Sequence, residues 1–168
     1  MLLKIVIAPD PVLEKIADPV LKVNDKIVRT MYNMLETMYE ANGIGLAAPQ
    51  VGISKRFFVM HIDDENEDPY FFINPVIIKK SNNQSEHEEG CLSVPKQIIL
   101  IHRPELITVE YLDLKGKKKR QNFDGLHATC IQHEIDHLNG ITITDHIEIP
   151  SEKTAAKKLA IEIKKTIQ

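Results

Sequence analysis

Cys130-Ile-Gln-His-Glu-Ile-Asp-His-Leu-Asn-Gly140 sets two histidines four residues apart, with a glutamate directly after the first. On an α-helix, positions i and i+4 share one face about 6 Å apart along the axis. His133 and His137 can then turn imidazole nitrogens toward one ion at ~2.0–2.1 Å. Glu134 stands about 100° around the helix, bordering the same cleft, where it can move protons without being a ligand. The pattern predicts a helix over 125–138, stopped by Asn139-Gly140.

A third protein ligand has to come from elsewhere. Cys130 shares a stripe with His133 and His137, but about 10.5 Å of axial rise separates it from His137. Bonds of ~2.3 Å to sulfur and ~2.0 Å to nitrogen do not comfortably close that gap, so Cys130 reads as a small core residue. Known zinc-protease patterns fit poorly. Where one pattern requires histidine this chain has Ile143, and the glutamate another would use, Glu162, lies in a lysine-rich tail. Cys91 fits better. It lies in Glu88-Glu-Gly-Cys-Leu-Ser-Val-Pro95, where the preceding glycine and following proline predict an extended segment able to run past a helix. Two histidines and a thiolate leave a fourth position open for water, as in a catalytic site.

Around this site the chain offers 168 residues, read as one domain with room for a buried core. A composition of 43% apolar and 27% charged residues marks a globular protein, not a disordered one. The net charge of -3 and pI near 6.2 give no reason to expect nucleic acid or an anionic membrane as main partner. The one basic run, Lys115-Gly-Lys-Lys-Lys-Arg120, lacks interleaved aromatics and reads as a solvated hairpin tip. No apolar stretch approaches the ~20 residues that span a bilayer. Residues 1–12 lack the pattern of a secretory signal, so a cytoplasmic location is expected.

Ile27, Met31, Met34, Leu35 and Met38 form one apolar stripe, predicting a helix over 25–42 with Asn24 as its N-cap. Strands are predicted over 56–62, 70–78, 98–101 and 106–112, the last turning at 112–117 into a strand that ends near Phe123. The acidic stretch 63–68 reads as a solvated loop. Ser151 is placed to cap an amphipathic helix over 151–168 with Ala156, Leu159, Ala160, Ile163 and Ile167 on its apolar face. Runs of strands followed by a separate helix predict an α+β fold, with mixed and antiparallel strands packed around a central metal-binding helix and a helix toward each end of the chain.

Three segments agree on a family. Gly43-Ile-Gly-Leu-Ala-Ala-Pro-Gln50, Glu89-Gly-Cys-Leu-Ser93 and His133-Glu-Ile-Asp-His137 resemble the three motifs of the peptide deformylases, in that family's order. Ala8-Pro-Asp-Pro-Val-Leu13 and Ile73-Asn-Pro75 are similar too, so the resemblance runs to about residue 147; the final helix carries no motif. The resemblance implies removal of the formyl group from the N-terminal formyl-methionine of newly made proteins. It implies Cys91, His133 and His137 as metal ligands, Glu134 as acid/base, and Gln50 with the Leu92 backbone N–H as oxyanion donors. The implied ion is Fe(II), with nickel, cobalt or zinc able to substitute, and its water, acidified to hydroxide, is the nucleophile. Gly43, Ile44, Gly45 and Leu46 are implied as a stretch that substrate approaches closely, with Cys130 or Ile131 lining a methionine pocket. Partners are then formyl-methionyl nascent chains near the ribosome exit, handled by a monomer. One departure stands out, since many relatives have arginine where this chain has Ile98. A metalloendopeptidase, and an inactive metal-dependent binding protein of the same fold, are the competing readings; intact Glu134 and Gln50 argue against the second.

Overall fold

A computed structural model describes residues 1–63 and 65–167. Asp64, within the stretch 63–68 expected as a solvated loop, and Gln168, the last residue of the expected helix 151–168, lie outside the described residues. The methionine stripe forms α1, Asp25–Glu40, where the Ile27 N–H donates to Asn24 Oδ1 at 3.0 Å. The helix stops short of the expected residue 42 because Asn42 takes a left-handed backbone, φ 58. Met31, Met34 and Met38 are fully buried.

Five strands form an antiparallel sheet in the order β1 (Gly45–Ala47), β2 (Phe57–Met60), β3 (Tyr70–Lys80), β6 (Ile107–Leu112) and β7 (Lys118–Phe123). Both faces of β2 are covered, which is why it reads as a continuous apolar run rather than an alternation. Phe57 and Val59 pack with the α1 methionines, while Phe58 and Met60 pack with Ile131, Ile135 and Leu138 of α2, Gly125–Leu138. The expected strand 56–62 is trimmed at both ends by side-chain work. Arg56 donates to the Leu138 carbonyl at 2.8 Å and to Asn139 Oδ1 at 2.9 Å. His61 is held by Tyr39 and by the Glu67 carbonyl.

A separate two-stranded ribbon pairs β4, Gln84–Cys91, with β5, Val94–Pro104. The sequence concealed β4, whose Glu86-His-Glu-Glu89 has no apolar alternation, and showed only residues 98–101 of β5. The basic run turns at Asp113, whose Oδ1 accepts from the N–H groups of Lys115 and Lys117 at 2.9 Å each, and then enters β7. The last helix, α3, Pro150–Ile167, buries Ala156, Ala160 and Ile163, but Leu159 and Ile167 of its expected apolar face remain about half exposed. Gln97 Nε2 donates to the Ala156 carbonyl at 3.0 Å, tying α3 to the ribbon. No helix among the described residues is long and apolar enough to cross a membrane.

Candidate active site

The buried face of α2 and the tip of the ribbon meet between the two sheets. His133 and His137 come from the helix; Cys91 is the last residue of β4, before the turn at Leu92 and Ser93. One potential ligand atom from each lies within 4.8 Å of the others, and Cys91 Sγ is 3.3 Å from His137 Nε2. Tetrahedral bonds of ~2.0–2.3 Å place donor atoms about 3.3–3.8 Å apart, so the cluster is close to the right size for one ion. Two buried polar atoms here, Glu134 Oε2 and His137 Nδ1, have no hydrogen-bond partner among the described residues. Such atoms are costly to bury unpaired; His137 Nδ1 is on the ring edge away from the cluster, but Glu134 Oε2 beside the thiol and imidazoles fits a site built to hold polar ligands. Cys130 is apart from this cluster. Its sulfur faces the Ile44 carbonyl at 3.9 Å, and burial pushes its thiol well above the ordinary cysteine range.

The sequence did not reveal what holds His133 in place. Its Nδ1 is 3.0 Å from Glu89 Oε1, which leaves Nε2 free to face the cluster. Glu89 is itself gripped by Arg103, whose Nε and Nη2 donate to its two oxygens at 2.6 and 2.9 Å, with both side chains about 5% exposed. Arg103 Nη1 reaches Asp136 Oδ2 at 2.9 Å, and His146 Nε2 meets the same oxygen at 2.8 Å. Burial alone would raise the Glu89 carboxyl; hydrogen bonds from His133 and Arg103 outweigh it and hold the group at about 2. In the sequence Glu89 only opens the Glu89-Gly-Cys-Leu-Ser93 motif, and Arg103 sits in Ile98-Ile-Leu-Ile-His-Arg103 with no local signal of its partner.

Glu134 is 3% exposed, and burial raises its carboxyl to about 7 against the opposing pull of His133. Gly45 makes room for it. A Cβ there would stand 2.8 Å from Cys130 Sγ and 3.1 Å from Glu134 Oε1. Gln50 is almost fully buried; its Oε1 accepts from the Ala47 N–H at 2.9 Å. That contact turns Nε2 toward Ser93 Oγ, at 3.2 Å, and Cys91 Sγ, at 3.6 Å.

These groups border a cavity of about 670 Å³ lined also by Gly43, Ile44, Leu92, Leu126, Thr129 and Cys130, with Ile98 at its lip. Two expected lining residues are placed elsewhere. Leu46 and Ile131 are fully buried in the hydrophobic clusters on opposite sides of the sheet and do not line the cavity. β1 is the reason for Leu46: strand alternation sends its side chain to the α1 side, away from Gly45. A concavity of similar size, about 720 Å³, lies over Lys79, Thr108 and Arg120 and holds none of the ligand-like cluster.

A Cys-His-His cluster with a carboxylate beside it, opening on a cavity, is the arrangement of a metal-dependent hydrolase site, and the class is fixed by relatives. The profile of the polypeptide deformylase family matches residues 2–153. The peptide deformylase of Pelagibacter ubique is 49% identical over 154 residues, covering 90% of this chain and 90% of the relative. That of Rhizobium meliloti is 48% identical over 145 residues, 85% of this chain and 83% of the relative. The crystal structure of a peptide deformylase from Legionella pneumophila superposes with a TM-score of 0.91 at 38% identity, covering 99% of this chain and 97% of that one. The chain belongs to the polypeptide deformylase family. Its reaction is removal of the formyl group from an N-terminal formyl-methionine, with N-formyl peptides as substrates.

Proposed function

We propose that Cys91, His133 and His137 hold one Fe(II) ion, which nickel, cobalt or zinc can replace, and that Glu134, Gln50 and the Leu92 N–H carry out the rest of the chemistry. The observation that carries this reading is the convergence of the three donor atoms within 4.8 Å, beside the unpaired Glu134 Oε2. A bound ion there would acidify its water and polarise the formyl carbonyl. Glu134 accepts the proton released as water adds to the formyl carbon. It returns a proton to the methionine nitrogen as the C–N bond breaks, so formate and a free amine leave. Gln50 Nε2 and the Leu92 N–H face the oxygen on which negative charge develops. The bond from the Ala47 N–H sets the amide direction beforehand, so little reorganisation is needed as the charge forms. Gly43, Ile44 and Gly45 lie along the substrate backbone, with Cys130 beside the methionine side chain. We read residues 1–168 as one catalytic domain, a cytoplasmic monomer acting near the ribosome exit, with sedimentation as the check on its size.

Incubating the Fe(II) protein with formyl-Met-Ala-Ser should release formate and leave an unblocked peptide intact. Cleavage of the unblocked peptide without formate release would instead mark an endopeptidase. In the same preparation Cys130→Ser should keep a full complement of metal while Cys91→Ser loses affinity, and the opposite result would reassign the third ligand. Gln50→Leu removes the amide but keeps similar bulk, so kcat should fall by about 10² with KM little changed. An effect confined to KM would move Gln50 from the transition state to substrate binding.

A further inference from the structure

Among the described strands β5 pairs with β4 alone, and a groove of about 480 Å³ runs beside its residues 98–102. The opposite wall is residues 146–149 together with Glu152. An unpartnered strand presents a row of N–H and C=O groups that an extended peptide can join. The groove mixes polar walls, among them His102, His146, Glu148 and Glu152, with exposed aliphatic side chains. Ile98 is 72% exposed, Leu100 52% and Ile149 53%, three large aliphatic side chains left in water around one channel.

Continuity decides what belongs in it. Ile98 lines both this groove and the 670 Å³ cavity that faces Glu134 and Cys91, so the two form one surface with Ile98 at the junction. The substrate is a polypeptide whose first residue fills the cavity, and the shared residue Ile98 offers its remainder a way out into the groove. Four steps of extended chain cover ~13 Å at ~3.3 Å each, so residues 98–102 can run alongside about four substrate residues. Glu148 and Glu152 on the far wall disfavour acidic side chains there.

We propose that the groove beside β5 is a subsite for the downstream part of the formylated chain, bound extended and favouring aliphatic over acidic residues. It rests on the deformylase reading and adds to it a preference beyond the first residues. The test compares formyl-Met-Ala-Ser with formyl-Met-Ala-Ser-Leu-Val-Leu-Ala and with the same length carrying Asp-Glu-Asp. The aliphatic heptapeptide should show a KM three- to ten-fold below that of the tripeptide at equal kcat, and the acidic one should show no such gain. In Leu100→Asn/Ile149→Asn the gain should vanish while tripeptide kinetics, which also report a folded site, stay unchanged. Equal KM for all three peptides in the native protein, or a gain that survives the double substitution, would overturn the subsite. A dimer that the double substitution dissolves would give this face to a second copy of the chain instead. Absence of formate from every peptide would fail the deformylase reading itself.

Discussion

Glu134→Gln should keep its metal and lose turnover by a factor on the order of 10²–10⁴, the usual range for a positioned acid/base. The substitution keeps the side chain's length and volume at a position only 3% exposed, where Gly45 leaves just enough room for it. What it removes is the ability to accept and return a proton. The native carboxyl is suited to both halves of that exchange, because burial lifts it to about 7, where neither form is strongly favoured near neutral pH. Metal content and kcat for formyl-Met-Ala-Ser, measured on one preparation, separate the roles. Metal loss as large as in His133→Ala would mean that Glu134 is a ligand.

Arg103→Met should destabilise the fold by about 3–5 kcal/mol, the usual cost of leaving one partner of a buried pair uncompensated. Glu89 is only 7% exposed and would lose both of its bonds to the guanidinium. Asp136 keeps His146, so the damage should fall mainly on Glu89 and, through it, on His133. Metal affinity should weaken by about 10–100-fold, as for other losses of a ligand's supporting partner. Denaturant unfolding of the metal-free protein and a metal titration read the two effects separately. Adding Glu89→Gln to Arg103→Met should recover part of the stability but not the metal affinity. A single substitution costing under about 1 kcal/mol would show that water reaches Glu89 and that the pair is not buried in effect.

The part of the site built from local pattern was legible in the sequence. A helix places His133 and His137 wherever it packs, and the α1 methionines declare their own face at helical spacing. Cys91 was legible as an extended segment near a glycine, although nothing local said that it ends a strand. The misses share one cause. β4 is polar in sequence because most of its positions face water and its one buried position, Glu89, is neutralised by Arg103, 14 residues further along the chain on β5. Leu46 could be assigned to substrate or core only by knowing that β1 pairs with β2 in the register Leu46–Val59. Ile131 likewise shares a helix with the metal-facing residues but points to the sheet side. Both errors depended on which face a neighbour covers, and that is fixed by tertiary pairing rather than by residue type.

The three proposed ligands are rooted in different hydrophobic clusters, joined to each other mainly through the polar contacts of Glu89 and Arg103 with α2. His133 and His137 ride on a helix cored against the five-stranded sheet, whereas Cys91 ends a ribbon whose inner residues, Val94 and Ile101, pack with Ile143 in a small cluster of their own. An ion held by all three would stitch these clusters together and close a loop between positions 91 and 133. Ring closure of that kind restrains the more weakly anchored side most. The ribbon would then breathe more freely in protein stripped of metal, with its amides exchanging faster while those of β2 and α2 hold. Loss of the ion would loosen the wall of the cavity as well as remove the reactive centre, and reloading would have to draw the ribbon back before the site is whole.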